Sequence, residues 1–232
     1  MASVYKNAPL AHAAFEARFS GDLSIETNRD LFQKALRSKY PKLYVPNATP
    51  EKAPALQHYH FRRDDGSAVV GLAINSFMYT SFRYPGFPTF KGDIEEAWQV
   101  FSNLFEIPNF TRLGLRYTNK LPVIRDDHRR FPLSKYVTAK LDVVPGISGE
   151  AVYDMGLSVT SEVPGGRLRV SMTNDEGDGG LEILLLDLDF YRLGPIPKED
   201  RISFIDAAHD QIESVFLKLI SQEYKDIMKG ES

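Results

Sequence analysis

Three basic side chains, Arg112, Arg116 and Lys120, recur at every fourth position of one strongly patterned stretch. In an extended chain they would share one face, because successive side chains of a strand point in opposite directions. Guanidinium groups bind phosphate oxygens in pairs, so such a face could hold a phosphate chain. The other interpretation is a solvated face whose charges pair across strands. The opposite face would pack on the core through Leu113, Leu115, Tyr117, Asn119 and Leu121.

Glu16 and Arg18 occupy alternate positions of a predicted first strand that ends near Gly21. Beside the basic strand they could line a groove or a partly closed barrel. Alternatively, Glu16 is the cross-strand partner of Arg116, and the two charges only neutralise each other.

Asp187 and Asp189 stand two residues apart in a strand-like run, hence on one face. Two carboxylates placed in this way can hold a magnesium ion. Glu182 would lie on the opposite face, so the local pattern supplies no third ligand. The alternative is that both carboxylates form ion pairs with arginines of a neighbouring strand, for example in an Arg116–Asp187 pair.

Other chemistry-bearing patterns are weak. His58 and His60 share a strand face but have no acidic residue in the same run, and residues 174–180 resemble a calcium loop only in composition. The chain has no cysteine, which excludes disulfides and thiolate chemistry. It contains no GxSxG, phosphate-loop or GxGxxG motif. We therefore predict no cofactor, and the absence of a catalytic signature favours a binding protein over an enzyme.

The composition is that of a globular protein with a substantial core. The chain has 232 residues, of which 43% are hydrophobic, and a net charge of -3. This charge makes nucleic acid a poor candidate for the main partner. The first residues lack the apolar core of a signal peptide, and no apolar run is long enough to span a membrane. We expect a cytoplasmic protein.

The elements that must position these residues follow the order β-α-βββ-α-β, a connector, then βββ-α. This order predicts an α+β fold with an antiparallel sheet and three main helices, built as two similar meander-plus-helix lobes packed as one unit. The predicted bounds are 1–122 for the N-terminal lobe, 123–150 for the connector and 151–232 for the C-terminal lobe.

Turn and cap signals place the individual elements. The sequence DDGS at 64–67 predicts a hairpin. Thr27 with Asp30, and Asp93 with Glu96, have the spacing of capping boxes at the starts of two helices. Leu31 is predicted on the apolar stripe of the first of these helices. The last helix should begin near Pro197 and continue through Ile220, with Ile202 on its apolar stripe.

Three segments together resemble a sporadically distributed bacterial family of uncharacterised proteins with Phe-Glu-x-Arg-Phe and Leu-Arg-Tyr-x-Asn motifs. The resemblance spans most of the chain in order, with a departure at His12–Ala13. It implies no activity or catalytic residue. The patchy distribution of the family suits an accessory role in phage defence or in a toxin-linked system. The matching residues are Tyr5, Asn7, Pro9, Phe15, Glu16, Arg18 and Phe19, then Leu115, Arg116, Tyr117 and Asn119, and finally His209, Ile212 and Phe216.

Two functional hypotheses follow. The first is a non-catalytic binding or interaction protein that uses a protein partner or self-association. The alternative is a phosphate- or nucleotide-binding barrel with metal-dependent phosphohydrolase activity, in which Asp187 and Asp189 would hold the metal. The candidate ligand-binding residues are Glu16, Arg18, Arg112, Arg116, Asn119 and Lys120.

Overall fold

A computed structural model describes residues 7–44, 58–139, 154–176 and 182–230. It confirms the α+β class with an antiparallel sheet. Nine strands form one open sheet in the order β2-β3-β4-β5-β1-β6-β9-β8-β7. The strands are β1 Leu10–Arg18, β2 Lys42–Tyr44, β3 Tyr59–Arg62, β4 Ala68–Ala73, β5 Ser76–Ser81, β6 Asn109–Pro122, β7 Gly156–Val163, β8 Gly166–Glu176 and β9 Glu182–Pro197. The helices are α1 Ser24–Leu36, α2 Phe87–Leu104, the short α3 Leu133–Tyr136, α4 Arg201–Leu219 and α5 Gln222–Lys229, with a 3-10 turn at Lys198–Asp200 before α4.

The chain forms two compact units, and each is assembled from separate stretches of sequence. Unit 1 comprises Met1–Ala11, Tyr117–Phe190 and Asp210–Ser232, and unit 2 comprises His12–Arg116 and Tyr191–His209. The lobe bounds expected from the element order stay a prediction.

Local turn chemistry builds the β3–β4 hairpin as expected. Asp65 accepts a hydrogen bond from the backbone N–H of Ser67 at 2.9 Å, and Gly66 adopts φ 70°. A positive φ is easily reached only by glycine, which explains its place in the turn. The following strand pairs back in register, with Val70 opposite Phe61.

Aromatic side chains fill the core of unit 2, between the sheet and helices α1 and α2. Phe32 of α1 meets Phe61 edge-on at 5.4 Å, and Phe77 meets Trp98 of α2 edge-on at 5.1 Å. Phe101 is fully buried and contacts several of these rings. Each such ring pair adds about 0.5–1.5 kcal/mol beyond the area it buries. This face of the sheet is therefore the core face, and we call the opposite face of the unit 2 strands the outer face.

Unit 1 contains the β7–β8 hairpin and the C-terminal helix α5. The hairpin is paired without interruption from Gly156 opposite Thr173 to Val163 opposite Gly166. At the other end of the sequence, the Ser221 hydroxyl accepts a hydrogen bond from the Tyr224 N–H at 3.0 Å and caps α5.

Several sequence expectations about helices are wrong. The first helix begins three residues before Thr27, and the N–H of Ser24 instead donates to Asp22 at 2.8 Å. Leu31 is 43% exposed, because the buried stripe of α1 runs through Phe32 and Leu36. Ile202 is likewise 45% exposed on α4.

Two longer-range features were also missed. Asp93 lies inside α2 rather than at its start, because the helix begins at Phe87 with Pro88 in its first turn. The C-terminal helix is divided into α4 and α5, because Ile220 leaves the helix to form a bridge with Val137. Within the described residues, no helix is long and apolar enough to cross a membrane.

Candidate binding face

The register of the strands places one row of side chains across the outer face. Tyr44 lies opposite His60, His60 opposite Gly71, Gly71 opposite Met78, and Met78 opposite Glu16. The alternation that buries Phe61, Tyr79 and Phe15 on the core face therefore places this row on the outer face. Within the row, Tyr44 is exposed, Gly71 is buried, and the other three residues are half-buried.

Glu16 sits between two arginines of the outer face. Its Oε2 lies 2.6 Å from Arg112 Nη1, and its Oε1 lies 3.0 Å from Arg18 Nε. The Arg112 guanidinium also lies over the Tyr191 ring, 5.1 Å from the centroid. The Arg112–Glu16 contact is a charge-assisted hydrogen bond, one of the stronger kinds in proteins, so Glu16 holds the Arg112 guanidinium in place.

Gly114 makes room for the Arg112 side chain. A Cβ at Gly114 would lie 2.2 Å from Arg112 Nη1 and 2.7 Å from its Cζ. The guanidinium therefore lies close to the backbone of Gly114, two residues along from its own Cα. The alternation of Arg112, Gly114 and Arg116 indicated a shared face from the sequence, but this close approach follows only from the structure.

A second group of cations lies on β2 and β3. Arg62 stacks on the Tyr44 ring, with its guanidinium carbon 4.4 Å from the centroid, and Tyr44 is 47% exposed. The Tyr44 ring lies 6.1 Å from that of His60. Burial, followed by the charge of Arg62, lowers the pKa of His60, so this ring is neutral at physiological pH. Lys42, opposite Arg62, lies 3.4 Å from the Asp64 carboxylate in the turn.

Cations outnumber carboxylates on the outer face as far as the structure describes it. Among the described residues, the strands of the outer face contribute one carboxylate, Glu16. The cations of this face come from four different strands. Arg116 is exposed, and its expected pairing with Glu16 or Asp187 stays a prediction. The cations are Arg18, Lys42, Arg62, Arg112 and Arg116.

The other predicted site residues belong to unit 1. Asn119 is 5% exposed and donates from Nδ2 to the Leu186 carbonyl at 3.2 Å, which is a structural role on the core face. Lys120 has an exposed side chain, and its N–H donates to the Pro9 carbonyl at 2.8 Å. These contacts do not bring the Asn119 and Lys120 side chains together in one cleft.

The two aspartates proposed as metal ligands are buried, each 6% exposed. Asp189 lies 3.2 Å from Arg169 Nη2, and Asp187 accepts a hydrogen bond from Thr118 at 3.4 Å. The described ranges contain no group of three or more histidine, aspartate or glutamate side chains that could hold a metal ion. Magnesium binding at Asp187 and Asp189 stays a prediction. Part of the calcium-like segment at 174–180 lies outside the described residues.

The cluster of charges around Asp93 was not expected from the sequence, which suggested a helix cap at this residue. This carboxylate is 7% exposed and accepts hydrogen bonds from Tyr79 Oη at 2.9 Å and Lys39 Nζ at 2.9 Å. Arg63 Nη2 lies 2.8 Å from it, and its guanidinium also lies over the Tyr40 ring, 5.3 Å from the centroid. The available signal was a lone aspartate on the same helical face as Phe90, Ile94, Ala97 and Phe101.

Each of these groups of the Asp93 cluster keeps one protonation state around neutral pH: Asp93 stays ionised, and Lys39 and Tyr79 stay protonated. Burial alone would raise the pKa of Asp93, but hydrogen bonds from Lys39, Tyr79 and Arg63 outweigh burial and lower it. Burial, followed by the neighbouring Tyr40 and Asp93, raises the pKa of Tyr79 far above its usual range. Bonds to Glu96 and Asp93 outweigh the effect of burial on Lys39 and raise its pKa. No group of this cluster titrates near neutral pH, so its arrangement suits an ion cluster that joins elements of unit 2.

No protein-family model matches the chain, and no curated protein matches it either.

Proposed function

We propose that the protein is a non-catalytic interaction protein whose outer face binds an acidic surface of a protein partner. The observation that carries the proposal is the excess of cations on this face in a chain whose net charge is -3. A local excess of one sign attracts a partner of opposite sign and orients it during encounter.

The same observation favours a protein over a nucleic acid as the partner. Nucleic acids carry charge along their whole length and are repelled by the overall negative charge of the chain. An acidic patch on a folded protein needs only a local match. Tyr44 and Tyr191, each below an arginine, offer flat apolar area of the kind that is enriched in protein interfaces.

The cellular context that we propose is a cytoplasmic accessory role in a phage-defence or toxin-linked system. This part of the proposal rests on the resemblance to the sporadically distributed bacterial family.

A pair of charge-matched double variants tests the face. In R62E/R116E, two exposed cations of the outer face become acidic, whereas in K34E/R37E two exposed cations at the end of α1 and just after it do so. The net charge changes equally in both. Fluorescence anisotropy with a labelled short oligoglutamate peptide should show binding to the wild type and to K34E/R37E, and binding to R62E/R116E that is weaker by about tenfold or more.

Equal losses in both double variants would mean that net charge alone controls binding, which contradicts the proposal. Tighter binding to a single-stranded oligonucleotide than to the oligoglutamate peptide would assign the face to nucleic acid instead. Pull-downs from the native host should identify the partner as an acidic protein. Wild type and K34E/R37E should both retain this protein, and R62E/R116E should lose it.

A further inference from the structure

The two ends of the sheet are protected very differently. At one end, β2 is three residues long and carries Lys42, a short and charged edge of the kind that discourages pairing with other chains. At the other end, β7 is eight residues long. It has neither proline nor a basic residue, and Glu162 is its one charged side chain.

The geometry of β7 is that of an uninterrupted pairing strand. All eight residues pair with β8 in continuous register, so no bulge bends the edge away. Its residues are exposed or half-buried throughout, and Val159 is 52% exposed. Among the described residues, no strand lies beyond it in the sheet. An exposed long edge rich in β-branched residues presents a row of backbone donors and acceptors to another strand.

We infer that β7 is the interface for a second copy of this chain, which pairs antiparallel through its own β7 about a two-fold axis at Thr160. This pairing would place Leu157 opposite Val163 and Val159 opposite Ser161, with Thr160 opposite itself. Cross-strand partners of this kind contribute to sheet stability, and the two-fold symmetry is the usual one for homodimers.

Charge supports the same pairing. The Glu162 carboxylate lies 3.4 Å from Arg167 on the neighbouring strand and would face Ser158 of the second copy. No like charges would therefore meet across the two-fold axis. The inference concerns unit 1 and is independent of the acidic partner proposed for the outer face.

Charge substitution at the axis gives a test with its own rescue. Thr160 is exposed, so T160K and T160E should both fold, as checked by circular dichroism. Sedimentation velocity of the wild type should give a mass that approaches twice 26.2 kDa at high micromolar concentration. Each variant alone brings like charges together and should dimerise about tenfold more weakly, and an equimolar mixture of T160K and T160E should restore the dimer.

The matched control is L43K, which adds the same charge to the exposed opposite edge strand and should leave the dimer unchanged. A wild type that stays at 26.2 kDa at high concentration would overturn the inference. So would a T160K dimer as tight as that of the wild type, because another surface must then hold it. Failure of the mixture to recover the dimer would show that the two copies do not meet at Thr160.

Discussion

Asp93 is a carboxylate inside the apolar face of a helix, and it depends on donors from three other parts of unit 2. Lys39 lies just beyond α1, Arg63 follows β3, and Tyr79 belongs to β5. The carboxylate therefore joins two helices to the sheet. A buried acceptor with three donors is stable only while all of them remain in place.

We expect D93N to lower the free energy of unfolding by about 2–3 kcal/mol, because the two cations lose a charged partner while the amide still accepts from Tyr79. Lys39 and Arg63 are partly exposed, which keeps the loss at the low end for buried pairs. Urea denaturation measures the difference. The control is D206N, which removes a half-exposed carboxylate that pairs with Lys91, and which should cost no more than about 1 kcal/mol.

The pH dependence of this difference has a definite sign. The pKa of Asp93 is lowered from 3.8 in the folded protein, so the carboxylate stabilises the fold above that pH. The stabilisation is lost as the pH falls through the folded pKa. The gap in stability between wild type and D93N should therefore be constant near neutral pH and shrink in acid. A gap that widens in acid would contradict the lowered pKa.

Gly114 tests how closely the Arg112 side chain is held to the strand. G114A would displace the guanidinium from Glu16, since the new Cβ would lie 2.2 Å from Nη1. The control is G92A in α2, where a Cβ meets nothing within 4 Å. G92A should raise stability by about 0.5–1 kcal/mol, whereas G114A should give no gain or a loss. An equal gain in the two variants, measured by thermal unfolding, would show that Arg112 moves aside without cost.

At the scale of elements, the sequence and the structure place the start of α1 at different residues. Asp22 accepts from the Ser24 N–H, whereas the Thr27 hydroxyl donates to the Ser24 carbonyl within the helix. D22A should therefore cost about 1 kcal/mol of stability, and T27A should be close to neutral. The reverse order in chemical denaturation would place the helix start at Thr27.

The elements that the sequence predicted best are those decided by neighbouring residues. The β3–β4 hairpin follows from its Asp-Gly turn, and the core face of β6 between Leu113 and Leu121 follows from alternation. The errors arise where distant residues decide. Thr27 has capping-box spacing, but the chain turns earlier at Asp22, and Ile220 leaves its helix because Val137 pairs with it.

The candidate site was only partly predictable for the same reason. Alternation placed Glu16, Arg18, Arg112 and Arg116 on strand faces, but their sheet neighbours were unknown. The contribution of Arg62 and Lys42 depends on the order β2-β3-β4-β5-β1, which no local pattern encodes.

At the scale of the whole molecule, burial differs sharply along the sheet. Every residue of β4 is buried, as are all but one of β5, whereas the residues of β7 are exposed or half-buried. Amide hydrogen exchange, read by mass spectrometry at low micromolar concentration, should therefore be slowest in β4 and β5 and markedly faster in β7. Equal protection of β7 under these conditions would indicate that it is covered even in dilute protein.

The interleaving of the two units along the chain has a consequence for biosynthesis. Unit 2 requires Tyr191–His209, and unit 1 requires the stretch that follows it. Domains usually fold one after another as they leave the ribosome, N-terminal first. Here neither unit can complete its fold until most of the chain has been translated. The hydrophobic β4–β5 hairpin therefore stays exposed in the nascent chain. We expect chaperones that shield apolar segments to bind it there.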